Sequence, residues 1–325
     1  MKMKMSLKTV LGMLMFLVGC ATAPSDTIKV ASYNIRLSGE NGRADRGTPN
    51  AWKERKEDLL ALVQKLDLDV FGLQEVCPDQ AQFLKENLAG YEFVGEHRNA
   101  DRTSGEASPV CYRKSRFEAL EKGTFWLSET PDTPGLKGWG AACPRVCSYL
   151  ILRDRSSGRK FCFANTHTDH ISALAREKGM LLVIERMKKF GAGVPIVFTG
   201  DHNCRETEAP AKAVAAILKD ALYESETAPK GSWRTFSGWK WQERELSIPE
   251  ALEAPIAVRN ATEGSPDSVK DATGVHPYEK YGARIDYIYV SPGVKVLEFE
   301  TVNAPRPGKK LYPSDHFPVA AVIEL

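Results

Sequence analysis

Pro195-Ile-Val-Phe-Thr-Gly-Asp-His-Asn203 is a short apolar run that breaks at Gly200 and then presents a carboxylate, an imidazole and a carboxamide in three residues. Pro195, Ile196, Val197 and Phe198, bounded by Gly193 and Gly200, have the composition of a strand buried on both faces. Asp201 and Asn203 then project from its carboxyl end, where open α/β sheets gather their ligands. One Gly-Asp pair alone would signify only a turn. Five more strand-like segments carry the same kind of residue. Ile28–Asn34 ends on Asn34, Val70–Glu75 on Glu75 and Lys160–His167 on His167. Arg284–Val290 carries Asp286 in its middle, and Ser314-Asp315-His316 leads into the apolar run Phe317–Ile323.

The segments between these strands read as helices. Trp52–Leu66 places Leu59, Leu62, Val63 and Leu66 at helical spacing opposite Lys53, Glu54, Lys56 and Glu57. Pro78 opens a second helix running to about Leu88. Ile171–Phe190 is a long third helix with Leu174, Met180, Leu181, Ile184 and Met187 inward, and Pro210–Leu218 is a fourth. From Tyr91 to Phe163 the period is that of strands: YEFVGE, PVCYRK, FEAL, GTFWL, and a hairpin of VCSYLILRD and RKFCFANT around Arg155–Gly158. Two long loops interrupt them, Arg98–Ser108 and Ser128–Pro144. Alternation of this kind predicts an α/β fold with two sheets, each covered by helices on one side. Lys240–Thr273, polar and interrupted by Pro249, Pro255 and Pro266, reads as an excursion from the core.

With 325 residues, 42% of them hydrophobic, the chain has material for a sizeable core. Lys2, Lys4 and Lys8 precede the apolar stretch Val10–Val18, too short to span a bilayer but suited to a signal peptide. It ends in Leu17-Val-Gly-Cys20, which resembles the bacterial lipobox. The expectation is therefore an exported protein held at the membrane through lipidated Cys20, on the periplasmic or cell-surface side, with residues 21–27 as a tether. Without the first twenty residues, 41 basic side chains face 42 acidic ones, a net charge of −1. Such a balance disfavours long nucleic acid as a substrate, since phosphate contacts with a basic face supply most of that affinity. Six cysteines remain, which read as buried thiols or one or two bridges. The Cys143–Cys147 spacing lacks the companion ligands of a zinc site.

Asn34, Glu75 and Asp315 offer hard oxygen ligands of the kind preferred by Mg²⁺ or Mn²⁺ over zinc. Asp286 and His316 suit a carboxylate–imidazole pair. Asp201 can orient or deprotonate a water, and Asn203 and His167 can donate to phosphoryl oxygens. Metal, positioned water and donors are the requirements of hydrolytic phosphoryl transfer.

Asn34, Gln74-Glu75, Asn165-Thr-His167, Gly200-Asp201-His-Asn203, Arg284-Ile-Asp286-Tyr and Ser314-Asp315-His316-Phe-Pro318 together resemble the ordered motifs of the endonuclease/exonuclease/phosphatase superfamily. The resemblance spans residues 28–325. It implies a DNase I-like four-layer α/β sandwich of two packed mixed sheets flanked by helices. It also implies a monomeric Mg²⁺-dependent phosphoesterase whose substrate is a nucleotide, oligonucleotide or lipid headgroup. Carried over position by position, Asn34 and Glu75 form the metal shell with Asp315 near it, and His167 and Asn203 bind phosphate. Asp201 handles the attacking water or the leaving group, and Asp286 with His316 forms the dyad. Asp169, His170, His202 and Arg145 are read as supporting polar residues, Arg145 having the alternative of reaching a substrate phosphate. His97 and His276 are read as surface residues.

Two features blur the substrate. The Trp-Cys-Asp signature of inositol polyphosphate phosphatases is replaced by Tyr281-Gly-Ala-Arg284. Thr235-Phe-Ser-Gly-Trp239 resembles a segment of exported bacterial members and of the deadenylase-like branch, but here it is followed by the excursion, about 240–273. The alternatives are a sphingomyelinase-like phospholipase C and a non-catalytic binding lipoprotein on the same fold.

Overall fold

In the computed structural model, residues 27–39, 42–191, 193–260 and 281–325 are described. The predicted signal segment, Cys20, most of the tether, residues 261–273 of the excursion and His276 lie outside them. The first half of the chain forms β1 (Thr27–Asn34), α1 (Trp52–Leu66), β2 (Val70–Gln74), α2 (Pro78–Asn87), β3 (Tyr91–Val94), β4 (Val110–Arg113), β5 (Phe117–Trp126), β6 (Val146–Asp154) and β7 (Lys160–His167). The rest forms α3 (Ala173–Gly191), β8 (Ile196–Asp201), α4 (Ala209–Ala215), β9 (Lys219–Asp220), α5 (Ala221–Glu224), β10 (Lys230–Gly231), α6 (Ile248–Leu252), α7 (Ile256–Arg259), β11 (Asp286–Val290), β12 (Lys295–Thr301) and β13 (Val319–Glu324).

The strands make two mixed sheets, ordered β10-β12-β13-β1-β2-β4-β3 and β5-β6-β7-β8-β11-β9. Period-two alternation explains the layering, because successive side chains leave a strand on opposite faces. Ile28 and Val30 of β1, Phe161 and Phe163 of β7, and Ile288 and Val290 of β11 meet in one core between the sheets. Their neighbours turn outward. Ala31, Tyr33 and Phe71 pack on Leu59, Leu62 and Val63 of α1 and Leu84 of α2. Cys162, Ala164, Phe198 and Tyr289 pack on Met180, Val183, Ile184 and Met187 of α3 and Val214 of α4. The result is the expected four-layer α/β sandwich, helices outside and two sheets within.

A buried polar clamp crosses the central layer. The Asn165 Nδ2 donates to the carbonyls of Leu73 (2.8 Å) and Pro109 (3.0 Å), while its oxygen accepts from Gln74 Nε2 (2.7 Å) and Thr199 Oγ1 (3.1 Å). Gly72 permits this approach: a Cβ there would sit 2.2 Å from the Asn165 oxygen.

Several expectations change. FEAL and GTFWL are one strand, β5, whose register shifts between Ala119 and Glu121. α3 begins at Ala173, and its inward stripe runs through Met180, Val183, Ile184 and Met187. Leu174 is 52% exposed and Leu181 only half-buried, because the sheet meets the helix on one narrower face. Asp286 is the first residue of β11 and not its middle. The described part of the excursion is ordered into α6 and α7, with a Ser247–Glu250 capping box. Ile248 and Ala251 are fully buried against the inter-sheet core. Its three prolines concealed this, since two short turns give too few residues for a readable period. Cys77, Cys111, Cys143, Cys147, Cys162 and Cys204 are free thiols. Among the described residues, no helix is long and apolar enough to cross a membrane.

Candidate active site

Strand register brings the predicted residues together. β7 runs parallel to β8 with His167 opposite Asp201, and β11 runs antiparallel to β8 with Asp286 opposite Asp201. His167, Asp201 and Asp286 therefore stand in one row at one end of the second sheet. In the first sheet Asn34 ends β1 opposite Gln74 of β2, and Glu75 follows. β13 is antiparallel to β1, so Ser314–His316, just before it, arrive at that same end. The Ser314 hydroxyl donates to the Asn34 carbonyl (2.7 Å).

One strap joins the two sheets here. The Ile285 and Asp286 N–H groups donate to Thr235 Oγ1 (3.0 and 3.1 Å), the Phe317 N–H donates to the Thr235 carbonyl (2.7 Å), and the Ser237 N–H donates to the Asp315 carbonyl (2.7 Å). Thr235–Ser237 thus fixes Asp286 relative to His316, whose Nδ1 donates to Asp286 Oδ2 (2.8 Å). The far ring nitrogen lies 3.7 Å from Asp201 Oδ2. Burial opposes a charged ring, but Asp286, Asp201 and Asp315 outweigh it and hold the His316 imidazolium well above the usual range. Burial and Asp286 push Asp201 up, against His316 and the Asn34 amide.

His167 behaves differently. Its Nε2 accepts from Asn203 Nδ2 (2.9 Å) and lies 3.4 Å from Asp201 Oδ2, while its buried Nδ1 makes no hydrogen bond and lies 4.0 Å from Glu106 Oε2. Burial, then the charge of Arg145, hold this ring neutral, with its pKa well below the usual value. With Nε2 accepting, the proton sits on Nδ1.

Asn34 is placed between two acids. Its Nδ2 donates to Glu75 Oε1 (3.0 Å) and Asp201 Oδ2 (2.9 Å), and its oxygen accepts from the Arg36 N–H (2.9 Å). Glu75 Oε2 accepts from the Leu37 N–H (2.8 Å). Arg36, Glu75 and Asn203 all adopt left-handed backbone conformations, with φ of 55°, 62° and 46°. Strained non-glycine residues of this kind persist where surrounding structure over-determines them, as at ligand clamps.

Arg36, Glu75, His167, Asp201, Asn203 and His316 line an open cavity of about 350 Å³, with Arg98, Glu106, Arg145, His170 and Phe236 also on its walls. The sequence reading missed Arg36, Arg98, Glu106 and Phe236 as site residues. Arg98 pairs with Glu106 (2.8 Å), and both stand at the ends of the long loop 98–108. Arg55 was missed too: from α1 it donates to the carbonyls of Ile35 (2.6 Å), Arg36 (2.6 Å) and Pro313 (3.0 Å), tying together the loops that carry Glu75's neighbours and Asp315. Asp169 caps the turn into α3, accepting from the Ile171 and Ser172 N–H groups. His202 is wholly buried beside the stacked rings of Tyr287 and Tyr289. His97 is half-buried with Nδ1 2.9 Å from the Gly105 carbonyl, and is not a free surface ring.

The acids suit a hard cation. Burial raises Asp315, opposed by His316 and reinforced by Glu75; burial likewise raises Glu106, with Glu75 again adding to it. Carboxylates crowded together in a buried cavity are what a divalent cation relieves. Asp201, Asp286 and His316 form a second candidate metal group, with one ligand atom each within 4.8 Å of the others. Its atoms are already engaged with one another, with Asn34 and with Asn203.

A model of the endonuclease/exonuclease/phosphatase family matches residues 31–316. The chain belongs to this family. Members generally depend on a divalent metal, and the named relatives include an exoribonuclease subunit and a tyrosyl-DNA phosphodiesterase. Among solved structures, a mannosyl-6-phosphatase of Bacteroides thetaiotaomicron is 31% identical, with a TM-score of 0.72 over 92% of this chain and 100% of that one. A family member from Bacteroides vulgatus is 29% identical, with a TM-score of 0.73 over 92% of this chain and 99% of that one. Nocturnin of Drosophila melanogaster is 25% identical over 94% of this chain but 48% of its own length. The chain thus spans less than half of the curated relatives it first matches.

Proposed function

We propose that this protein is a metal-dependent phosphoesterase that hydrolyses the phosphate ester of a small molecule, by attack of water on phosphorus and cleavage of the ester P–O bond. The observation that carries the reading is the convergence of His316, held from behind by Asp286, with Asp201, Asn203 and His167 on one cavity that Glu75 and Asp315 also line. Glu75 and Asp315 would hold the cation, with Asn34 fixing Glu75 through its amide. Bound there, Mg²⁺ or Mn²⁺ would polarise a phosphoryl oxygen and offset its charge.

The remaining roles belong to the chain. Asp201, with its pKa raised, takes a proton from the attacking water. Protonated His316, oriented by Asp286, donates to charge developing on the phosphoryl group. Asn203 and His167 steady the phosphoryl oxygens, and the leaving oxygen departs with a proton from solvent.

The likeness to a mannosyl-6-phosphatase over that protein's whole length supports a small phosphate ester such as a sugar phosphate. We further propose that the enzyme works outside the cytoplasm, tethered through Cys20, on the strength of the signal-like segment that precedes it. Purified protein assayed on mannose 6-phosphate, p-nitrophenyl phosphate, bis-p-nitrophenyl phosphate, short oligonucleotides and sphingomyelin, with Mg²⁺ and with chelator, tests the activity. Metal-independent turnover, or none on any ester, overturns it.

A further inference from the structure

We infer that Arg145 selects phosphate monoesters over diesters, an inference that rests on the phosphoesterase reading above. Arg145 immediately precedes β6, and its carbonyl accepts from the Leu127 N–H (2.8 Å), which pins the backbone to the end of β5. Its side chain lines the catalytic cavity yet is only 6% exposed. One terminal nitrogen donates to His170 Nδ1 (3.0 Å), and the buried Nε has no acceptor. Asp169 Oδ2 lies 3.9 Å away. That carboxylate is occupied elsewhere, accepting from the N–H groups of Ala142 (2.9 Å), Ile171 (3.0 Å) and Ser172 (2.8 Å).

The other two arginines on the cavity wall are more fully matched. Arg98 holds Glu106 at 2.8 Å, and Arg36 lies 3.3 Å from Asp45 and 3.8 Å from Asp315. A guanidinium has five donors in a rigid fork that fits two oxygens of one phosphoryl group. Arg145 is therefore a nearly desolvated cation with spare donors, on the wall of the cavity that His167 and Asn203 also line.

Charge and atom count decide what fills that space. A monoester carries three terminal oxygens and up to two negative charges near neutral pH, a diester two oxygens and one charge. In a pose with one terminal oxygen toward Glu75 and Asp315 and another toward His167 and Asn203, the monoester's third oxygen meets Arg145. A diester in the same pose sets a carbon substituent there and leaves buried donors unmatched, which is the more effective form of rejection. His170 acts as a positioning residue that holds the fork in plane.

The test compares kcat/KM for p-nitrophenyl phosphate and bis-p-nitrophenyl phosphate, with Mg²⁺, in wild type and Arg145→Gln, together with inhibition by inorganic phosphate. The expected result is a monoester-to-diester ratio at least tenfold lower in the variant, and phosphate inhibition weakened on the order of ten- to a hundredfold. Equal losses on both esters, or an unchanged ratio, overturn the assignment. If circular dichroism shows that Arg145→Gln is unfolded, Arg145→Lys, which keeps the charge and the stem, replaces it. Its single ammonium cannot span two oxygens, so the ratio should still fall, and a ratio kept at the wild-type value overturns the assignment. Should wild type hydrolyse neither ester with Mg²⁺ or Mn²⁺, the phosphoesterase reading fails on its own. Calorimetric titration with inorganic phosphate then isolates Arg145, weaker binding in the variant supporting the anion site and equal binding overturning it.

Discussion

Asp286 faces Asp201 directly across the antiparallel ladder of β11 and β8, and the imidazole of His316 reaches both, at 2.8 Å and 3.7 Å. The two acids come from one sheet and the histidine from a segment entering the other, so the group exists only where the two sheets end together.

Removing the ring should therefore be costly. We expect His316→Ala to lower kcat on a chromogenic ester by about 10²- to 10⁴-fold. Because Asp286 acts through the ring, the double variant with Asp286→Asn should be little worse than His316→Ala alone. A loss below about tenfold in steady-state assays would assign the pair to structure.

Glu75→Gln keeps the shape of the side chain and deletes one negative ligand. Thermal melts with and without Mg²⁺ should show wild type stabilised by the cation and the variant indifferent to it, because only a cation that binds the folded state raises its melting temperature. Equal stabilisation of both would remove Glu75 from the metal site.

Legibility followed sequence distance. Asn34, Glu75, His167 and Asp201 could be read because each closes an apolar run, and a strand's end is visible locally. Arg55 could not, since three of its acceptors belong to Ile35, Arg36 and Pro313, far from it in the chain. Arg98 and Glu106 looked like ordinary loop charges until the loop's two ends were seen to meet. Leu174 obeyed the helical period and still lies outside, because period locates a face without stating how wide its partner is. Ile248 was hidden by the opposite difficulty, a buried residue in a helix too short to show a period.

That burial changes what an edit of the excursion should do. Ile248→Ala should destabilise the protein by roughly 2–5 kcal/mol in urea unfolding, the usual cost of emptying a fully buried aliphatic site. A change under about 0.5 kcal/mol would show that α6 is detachable.

Acid should weaken the fold through Asp154. Burial raises its pKa, but the Ser156 hydroxyl and N–H and the Arg116 guanidinium outweigh burial and leave it below the ordinary carboxylate value. A group depressed on folding contributes its stability above the unfolded pKa and loses it as pH falls through the folded one. Urea midpoints should hold from pH 7 to about 5 and drop below about pH 4, and Asp154→Asn should flatten that drop. Parallel curves for the two proteins would assign the acid sensitivity to other carboxylates.

β13 lies between β1 and β12, and Asp315 and His316 sit at its threshold. The first described strand to be synthesised thus waits for the last before its open edge is covered. On the proposed function, a chain that holds Asn34, Glu75, His167, Asp201 and Asp286 in place but has not docked β13 would lack positioned Asp315 and His316 and stay inert.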